Sequence, residues 1–127
     1  MESKLMFPSA SWTVSAEGKE AIKGLAHVLE ENPDLNIMVE GHTDNDPYNG
    51  QSGVKDNWDL SVMRATAIVK LILEYGQTID PTRIVAAGHG QYMPKVDNDT
   101  RENKAQNRRT EIILTPKLSE ILQMIGE

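Results

Sequence analysis

Apolar residues recur along this chain with two different periods, and the switches between them mark out its elements. Ile22, Leu25, Ala26, Val28 and Leu29 fall on one side at helical spacing, while Glu17, Lys19, Glu20, Lys23 and Glu30 take the other. This predicts a core-covering helix from about Ala16 to Glu31 with Ser15 as its cap. Asn32-Pro33-Asp34 ends it, because proline lacks an amide donor and disfavours helical geometry in the residue before it. Leu35 to Glu40 then reads as a strand, with Ile37 and Val39 on one face and Met38 on the other. A second helix is expected from Trp58 or Asp59 to Tyr75, its apolar face made by Leu60, Met63, Ala67, Ile68, Leu71 and Ile72. Asn57 is its candidate cap and Gly76 its stop.

Shorter patterns fill in the remainder. Lys4 to Phe7 predicts a first strand ended by Pro8, and Asp80-Pro81-Thr82-Arg83 turns into a third strand, Ile84 to Ala87. Gln91 to Gln106 is polar and reads as a loop with one short helical turn after Thr100. Thr110 to Thr115 is the last strand, and Lys117 to Ile125 reads as a short amphipathic helix that packs on the domain or on a partner. The order gives an α/β sandwich: a β-α-β-α-β-β mixed sheet of four strands with helices packed on it, plus the short C-terminal helix. With 127 residues, the chain fits a single domain over 1–127.

Composition narrows the partners. A net charge of −6 without a basic run argues against nucleic acid, since nothing is there to neutralise phosphates. No cysteine is present, which removes disulfides and thiolate metal sites and leaves the redox compartment open. No apolar run reaches the ~18 residues of a membrane-spanning helix. Met1 to Leu5 does not read as a secretory signal.

The chemistry concentrates between Gly41 and Arg64. Asp44 lies just past the end of the Leu35–Glu40 strand, in Gly41-His42-Thr43-Asp44-Asn45, and Arg64 lies one turn into the second helix. A helix N-terminus offers unpaired amides, and a guanidinium beside it adds a planar fork matched to a carboxylate. With Asp44 alongside, the pair suits a ligand that carries an ammonium and a carboxylate on one carbon. A cation in the first turn opposes the helix dipole unless an anion compensates, and Asp59 and Asp44 are both candidates for that anion. His42, Asp44 and Asp46 alternate, but alternate residues need not converge, and a metal site needs about three convergent ligands, so no metal is expected. His27 reads as a surface residue, and His89, between Gly88 and Gly90, as an exposed loop residue within reach of the same sheet edge. No Gly-x-Ser-x-Gly, Cys/His pair or three-ligand cluster is present, so a hydrolase is disfavoured and no catalytic residue or cofactor is expected.

Taken together, Gly41-His42-Thr43-Asp44-Asn45, Asn57-x-x-Leu60-Ser61-x-x-Arg64-Ala65, Arg83-Ile84-x-x-x-Gly88-x-Gly90 and Asn107-Arg108-Arg109-Thr110-Glu111-Ile112 resemble the OmpA-like peptidoglycan-binding domain. The resemblance has its motif core at about 36–115. It implies a non-catalytic module that anchors a Gram-negative envelope protein to the cell wall by gripping the diaminopimelate of a peptidoglycan stem peptide. Asp44 would then hold the ammonium and Arg64 the carboxylate, with Asn57 and Arg108 assisting and Arg109 pairing with Glu111. It further implies a periplasmic, outer-membrane-associated setting without membrane contact by the domain itself, and an export signal or anchor supplied by a longer parent, with Met1 an added start. A homodimer is the alternative role, since stator-type members of that family dimerise. Where the family commonly has Gly-Arg, this chain has Asn103-Lys104, and lysine lacks arginine's bidentate fork.

Overall fold

The computed structural model describes residues 5–48, 50, 53–116 and 125–126. Helix α1 spans Ala16–Glu31, strand β1 Leu35–Gly41, helix α2 Asn57–Tyr75, strand β2 Ile84–Gly88, helix α3 Arg101–Asn107 and strand β3 Thr110–Pro116, with a 3-10 turn at Pro81–Arg83. Strand β1 lies at the centre of the sheet, parallel to β2 and antiparallel to β3. Parallel pairing of β1 with β2 requires a long crossover, and α2 supplies it. Ile37 and Val39 on the inward face of β1 join Ile22, Ala26 and Leu29 of α1 and Ala65, Ile68 and Ile72 of α2 in one core. Met38 and Val85 are exposed, so part of the opposite sheet face is open.

A local signal starts α1, and a distant side chain holds its end. The Ser15 hydroxyl accepts from the Gly18 amide and starts α1. The end of α1 is held by Arg83, whose guanidinium donates to the carbonyls of Leu29, Asn32 and Leu35. That satisfies carbonyls a helix terminus otherwise leaves without partners.

Three expectations change, and a fourth lies almost wholly outside the described residues. The strand expected at Lys4–Phe7 contributes only one bridge, Met6 to Arg109, so the sheet has three strands among the described residues rather than four. Leu5 already turns into 3-10 geometry, and Pro8 has no amide to extend the pairing. Helix α2 is capped by Asp56, whose carboxylate accepts from the Asp59 amide, and Asn57 is its first residue rather than its cap. The short turn after Thr100 is a helix of two turns, α3, because the Thr100 hydroxyl caps it through the Asn103 amide. Asn103 is therefore helical. The C-terminal helix expected over Lys117 to Ile125 falls almost wholly outside the described residues.

Candidate functional site

Strands β1 and β2 end side by side at Gly41 and Gly88, and both must be glycine because the first turns of α2 lie directly on them. A Cβ on Gly41 would overlap the Ser61 carbonyl, and one on Gly88 would overlap the Ser61 hydroxyl. Ser61 is buried, and its hydroxyl accepts from the Gly90 amide at 2.9 Å and donates to the Trp58 carbonyl at 2.8 Å. The start of α2 is thus fixed against the strand ends from which Asp44 emerges.

Asp44 is buried, with 5% of its surface exposed. One carboxylate oxygen accepts from the Asp46 amide at 3.1 Å and the other from Arg108 Nη1 at 3.1 Å. The Arg108 Nε donates in turn to the Phe7 carbonyl. Asn57 Nδ2 faces the carbonyls of Asp44 and Asp46 and the Gln91 side-chain oxygen, whereas its buried Oδ1 has no hydrogen-bond partner. The cap and ligand roles of Asn57 therefore do not compete, since Asp56 does the capping.

Arg64 is not the accessible fork the sequence leads one to expect. It is fully buried, and its guanidinium donates to the carbonyls of Ser11 at 2.7 Å, His42 at 3.0 Å and Pro8 at 3.0 Å, with the Phe7 ring at 5.3 Å. Burial pushes its pKa down to about 10, opposed by nearby Asp44 and reinforced by Arg108, so it remains charged at neutral pH. Asp59 is not its counter-ion, because that carboxylate accepts from the Lys55 amide, while the Asp59 amide donates to the Asp56 cap. Arg64 fastens the chain before α1 to the end of β1, which is a tie made by one arginine across more than fifty residues of sequence.

Asp44, Asn57 and Arg64 nevertheless line one small cleft of about 20 Å³, together with Ser9, Ala10, Pro47 and Tyr48. Ala10 holds a left-handed backbone, φ 56°. Across Ser9 and Asp46 the cleft adjoins an open groove of about 490 Å³ lined by Arg108, Lys104, Arg101 and Thr100. Lys104 Nζ lies 2.8 Å from Asp46 at the shared rim. All four sequence-predicted site residues therefore meet at one place, with Arg108 paired to Asp44. Arg109 pairs with Glu111 as expected.

Asn107 is a residue that periodicity and charge did not single out. It is fully buried, accepts from the Lys95 and Val96 amides, and donates to the Val96 carbonyl and Asn98 Oδ1. The four bonds pin the groove-lining loop beside α3. Its sequence signal is its place at the head of the Asn107-Arg108-Arg109 motif, which does not say what its side chain does.

His42, Asp44 and Asp46 do not converge, because Asp44 turns to Arg108 and Asp46 to Lys104. His42 instead meets residues on the other side of the strand ends. Its ring stacks on His89 with centroids 5.1 Å apart, and Glu40 reaches both rings. Burial, with a smaller contribution from Arg109, lowers the His42 pKa to about 4, so its imidazole is neutral at pH 7.

A βαβ unit with an antiparallel third strand, carrying Gly-His-Thr-Asp at a strand end and Asn-x-x-Leu-Ser-x-x-Arg at the next helix start, defines an OmpA-like module. The OmpA family model matches residues 6–108, and the chain belongs to the OmpA family. It is similar to motility protein B of Bacillus subtilis, 35% identical over 117 residues that cover 92% of this chain and 44% of that protein. It is also similar to the probable lipoprotein YiaD of Escherichia coli, 36% identical over 116 residues, 91% of this chain and 50% of that protein. The chain thus spans about half the length of these curated relatives. Its fold matches the C-terminal domain of Helicobacter pylori MotB with a TM-score of 0.82 at 22% identity, over 99% of this chain and 94% of that one. The cell wall anchor of the type VI secretion system from Pseudomonas aeruginosa matches with a TM-score of 0.76 at 29% identity, over 92% of this chain and 79% of that one.

Proposed function

We propose that residues 1–127 act as one non-catalytic peptidoglycan-binding module that anchors a longer envelope protein to the cell wall through the diaminopimelate of the stem peptide. The observation that carries this reading is the convergence of Asp44, Asn57 and Arg64 on one cleft, with Arg108 joining it to an open groove of about 490 Å³. A groove of that size accommodates a peptide, and Asp44 in the cleft with Arg108 at the groove offers a charge to each end of a zwitterion. Family membership and the cell wall anchor among the similar structures point the same way.

The mechanism is an exchange of ion pairs. Without ligand, Asp44 is neutralised by Arg108. A zwitterion brings an ammonium for Asp44 and a carboxylate for Arg108, so one buried pair becomes two and neither protein charge is stranded. The cleft holds only about one water, so Ser9-Ala10 and Pro47-Tyr48 must part to admit the ligand. Arg64 acts from behind, fixing the Pro8–Ser11 segment and the His42 carbonyl so that Asp44 is presented in place. Each charge-assisted bond contributes about 1.5–3 kcal/mol before ordering costs, which places single-site binding roughly between micromolar and millimolar. Firm attachment then comes from many copies on one polymer.

The test is an NMR titration with a diaminopimelate stem peptide beside the same peptide carrying lysine, which has the ammonium but not the adjoining carboxylate. Amide shifts around Asp44, Asn57 and Arg108 that require diaminopimelate, and that vanish in Asp44→Ala and Arg108→Ala, are expected. Equal shifts with both peptides, or none, overturn the zwitterion reading.

A further inference from the structure

We propose that Glu40, His42 and His89 form a binding site for one zinc-class divalent ion at the C-terminal ends of β1 and β2, with a fourth position open to solvent. Glu40 and His42 are alternate residues of the β1 end, so their side chains share one face, turned away from α2. His89 follows the Gly88 that pairs with Gly41, and its amide donates to the Gly41 carbonyl, which brings the second imidazole onto the same face.

The three ligand atoms lie within 4.8 Å of one another. Glu40 reaches His89 Nε2 at 3.1 Å and His42 Nε2 at 3.8 Å. Ligand atoms around a tetrahedral zinc sit about 3.3 Å apart, given bond lengths of about 2.0–2.1 Å, so small rotamer changes suffice. Two imidazoles and one carboxylate select zinc and its borderline neighbours over magnesium or calcium, which favour all-oxygen shells.

A second observation is independent of the clustering. His42 is 2% exposed, yet neither of its ring nitrogens has a hydrogen-bond partner. Buried polar atoms are normally satisfied, and a ring with an orphaned Nε2 beside a carboxylate and a second imidazole is explained by a cation between them. The charges around it agree. Glu40 stands directly across from Glu111 in the β1–β3 register, a like-charge pairing that a bound cation relieves. Arg109, whose charge bears on His42, is paired with Glu111. The ion would tie the Gly88–Gly90 corner to β1, and that corner already bonds Thr43 and Ser61 beside the cleft.

The test is calorimetric titration of the untagged, metal-stripped chain with zinc chloride alone, with magnesium chloride in parallel. One equivalent of zinc at micromolar affinity or tighter, and no magnesium binding, is expected. Cobalt added in place of zinc should give the intense visible bands of a four-coordinate site. His89→Ala and Glu40→Gln, both at partly exposed positions, should each weaken zinc by at least tenfold while circular dichroism confirms the fold. His27→Ala, which removes the exposed His27–Glu31 pair, should change nothing. No saturable zinc binding, or binding insensitive to both His89→Ala and Glu40→Gln, overturns the proposal.

Discussion

Two clusters sit at the same end of the sheet, on either side of the strand termini, and they treat buried polarity in opposite ways. Around Asp44 and Arg64, a buried cation and a buried anion are both bonded within the chain. Around His42, a buried ring is left without hydrogen bonds although a carboxylate stands nearby. In the first cluster the buried charges are matched by internal partners, although the neighbouring Asn57 Oδ1 is not, so the charged residues stabilise the fold and a ligand must exchange for what is there. In the second it is unmatched, so the fold bears a cost until something binds. The same degree of burial therefore carries different meanings, and satisfaction tells them apart.

The largest expected effect comes from removing the first cluster's anchor. Arg64→Ala deprives three carbonyls of their donor and should cost about 3–5 kcal/mol in urea unfolding, in the range for breaking a buried charged network. A loss under about 1 kcal/mol would show that the tie between Pro8–Ser11 and β1 is not structural. Gly41→Ala comes next. Its methyl would overlap the Ser61 carbonyl, a backbone atom that moves only if α2 does, so about 2–3 kcal/mol of destabilisation is expected. The same variant should broaden the Asp44 and Asn57 amide resonances, because the helix start that frames the cleft is displaced.

The second cluster should respond in the reverse sense. His42→Leu, measured in chelator without added metal, removes a ring that makes no hydrogen bond and leaves the backbone carbonyl that Arg64 uses. Replacing an unsatisfied polar group by an apolar one of similar size should alter stability by no more than about 1 kcal/mol. A cost comparable with that of Arg64→Ala would mean that His42 is as fully partnered as Arg64, and the contrast between the clusters would collapse.

The elements were legible in the sequence because their signals are local. Helical spacing of apolar residues gives α1 and α2 almost to the residue, and the alternation of Ile37, Met38 and Val39 gives the inner face of β1. Asp44, Asn57, Arg64 and Arg108 could be brought together because two motifs stand at a strand end and a helix start. What each side chain does there was not legible. Arg64 bonds to Pro8 and Ser11, and Arg108 to Phe7, across more than fifty and about a hundred residues of chain, and no period or propensity encodes which carbonyl a guanidinium will meet. The choice between Asp56 and Asn57 as cap was likewise settled by tertiary bonds to Asn57. His89 could be placed near the sheet edge, but its stacking on His42 follows from the β1–β2 register, which is a fact of pairing.

The smallest effect tests whether the rim of the cleft belongs to the satisfied cluster or merely borders it. Lys104 of α3 reaches Asp46 at 2.8 Å, and Asp46 flanks both the cleft and the groove, so the pair looks like a strut across the opening. Both side chains are substantially exposed, however, at 31% and 53%. Exposed pairs are screened by salt and lose in side-chain ordering most of what they gain by attraction. Asp46 is held independently, since its amide donates to Asp44 and its carbonyl accepts from Asn57. Lys104→Ala should therefore leave the urea midpoint unchanged within error at physiological salt, and change stem-peptide affinity by less than about threefold. If the midpoint falls clearly, the strut is holding Pro47-Tyr48 over the cleft. If affinity instead rises severalfold while stability holds, closing the cleft is what limits binding, and the exchange of ion pairs at Asp44 begins at this rim.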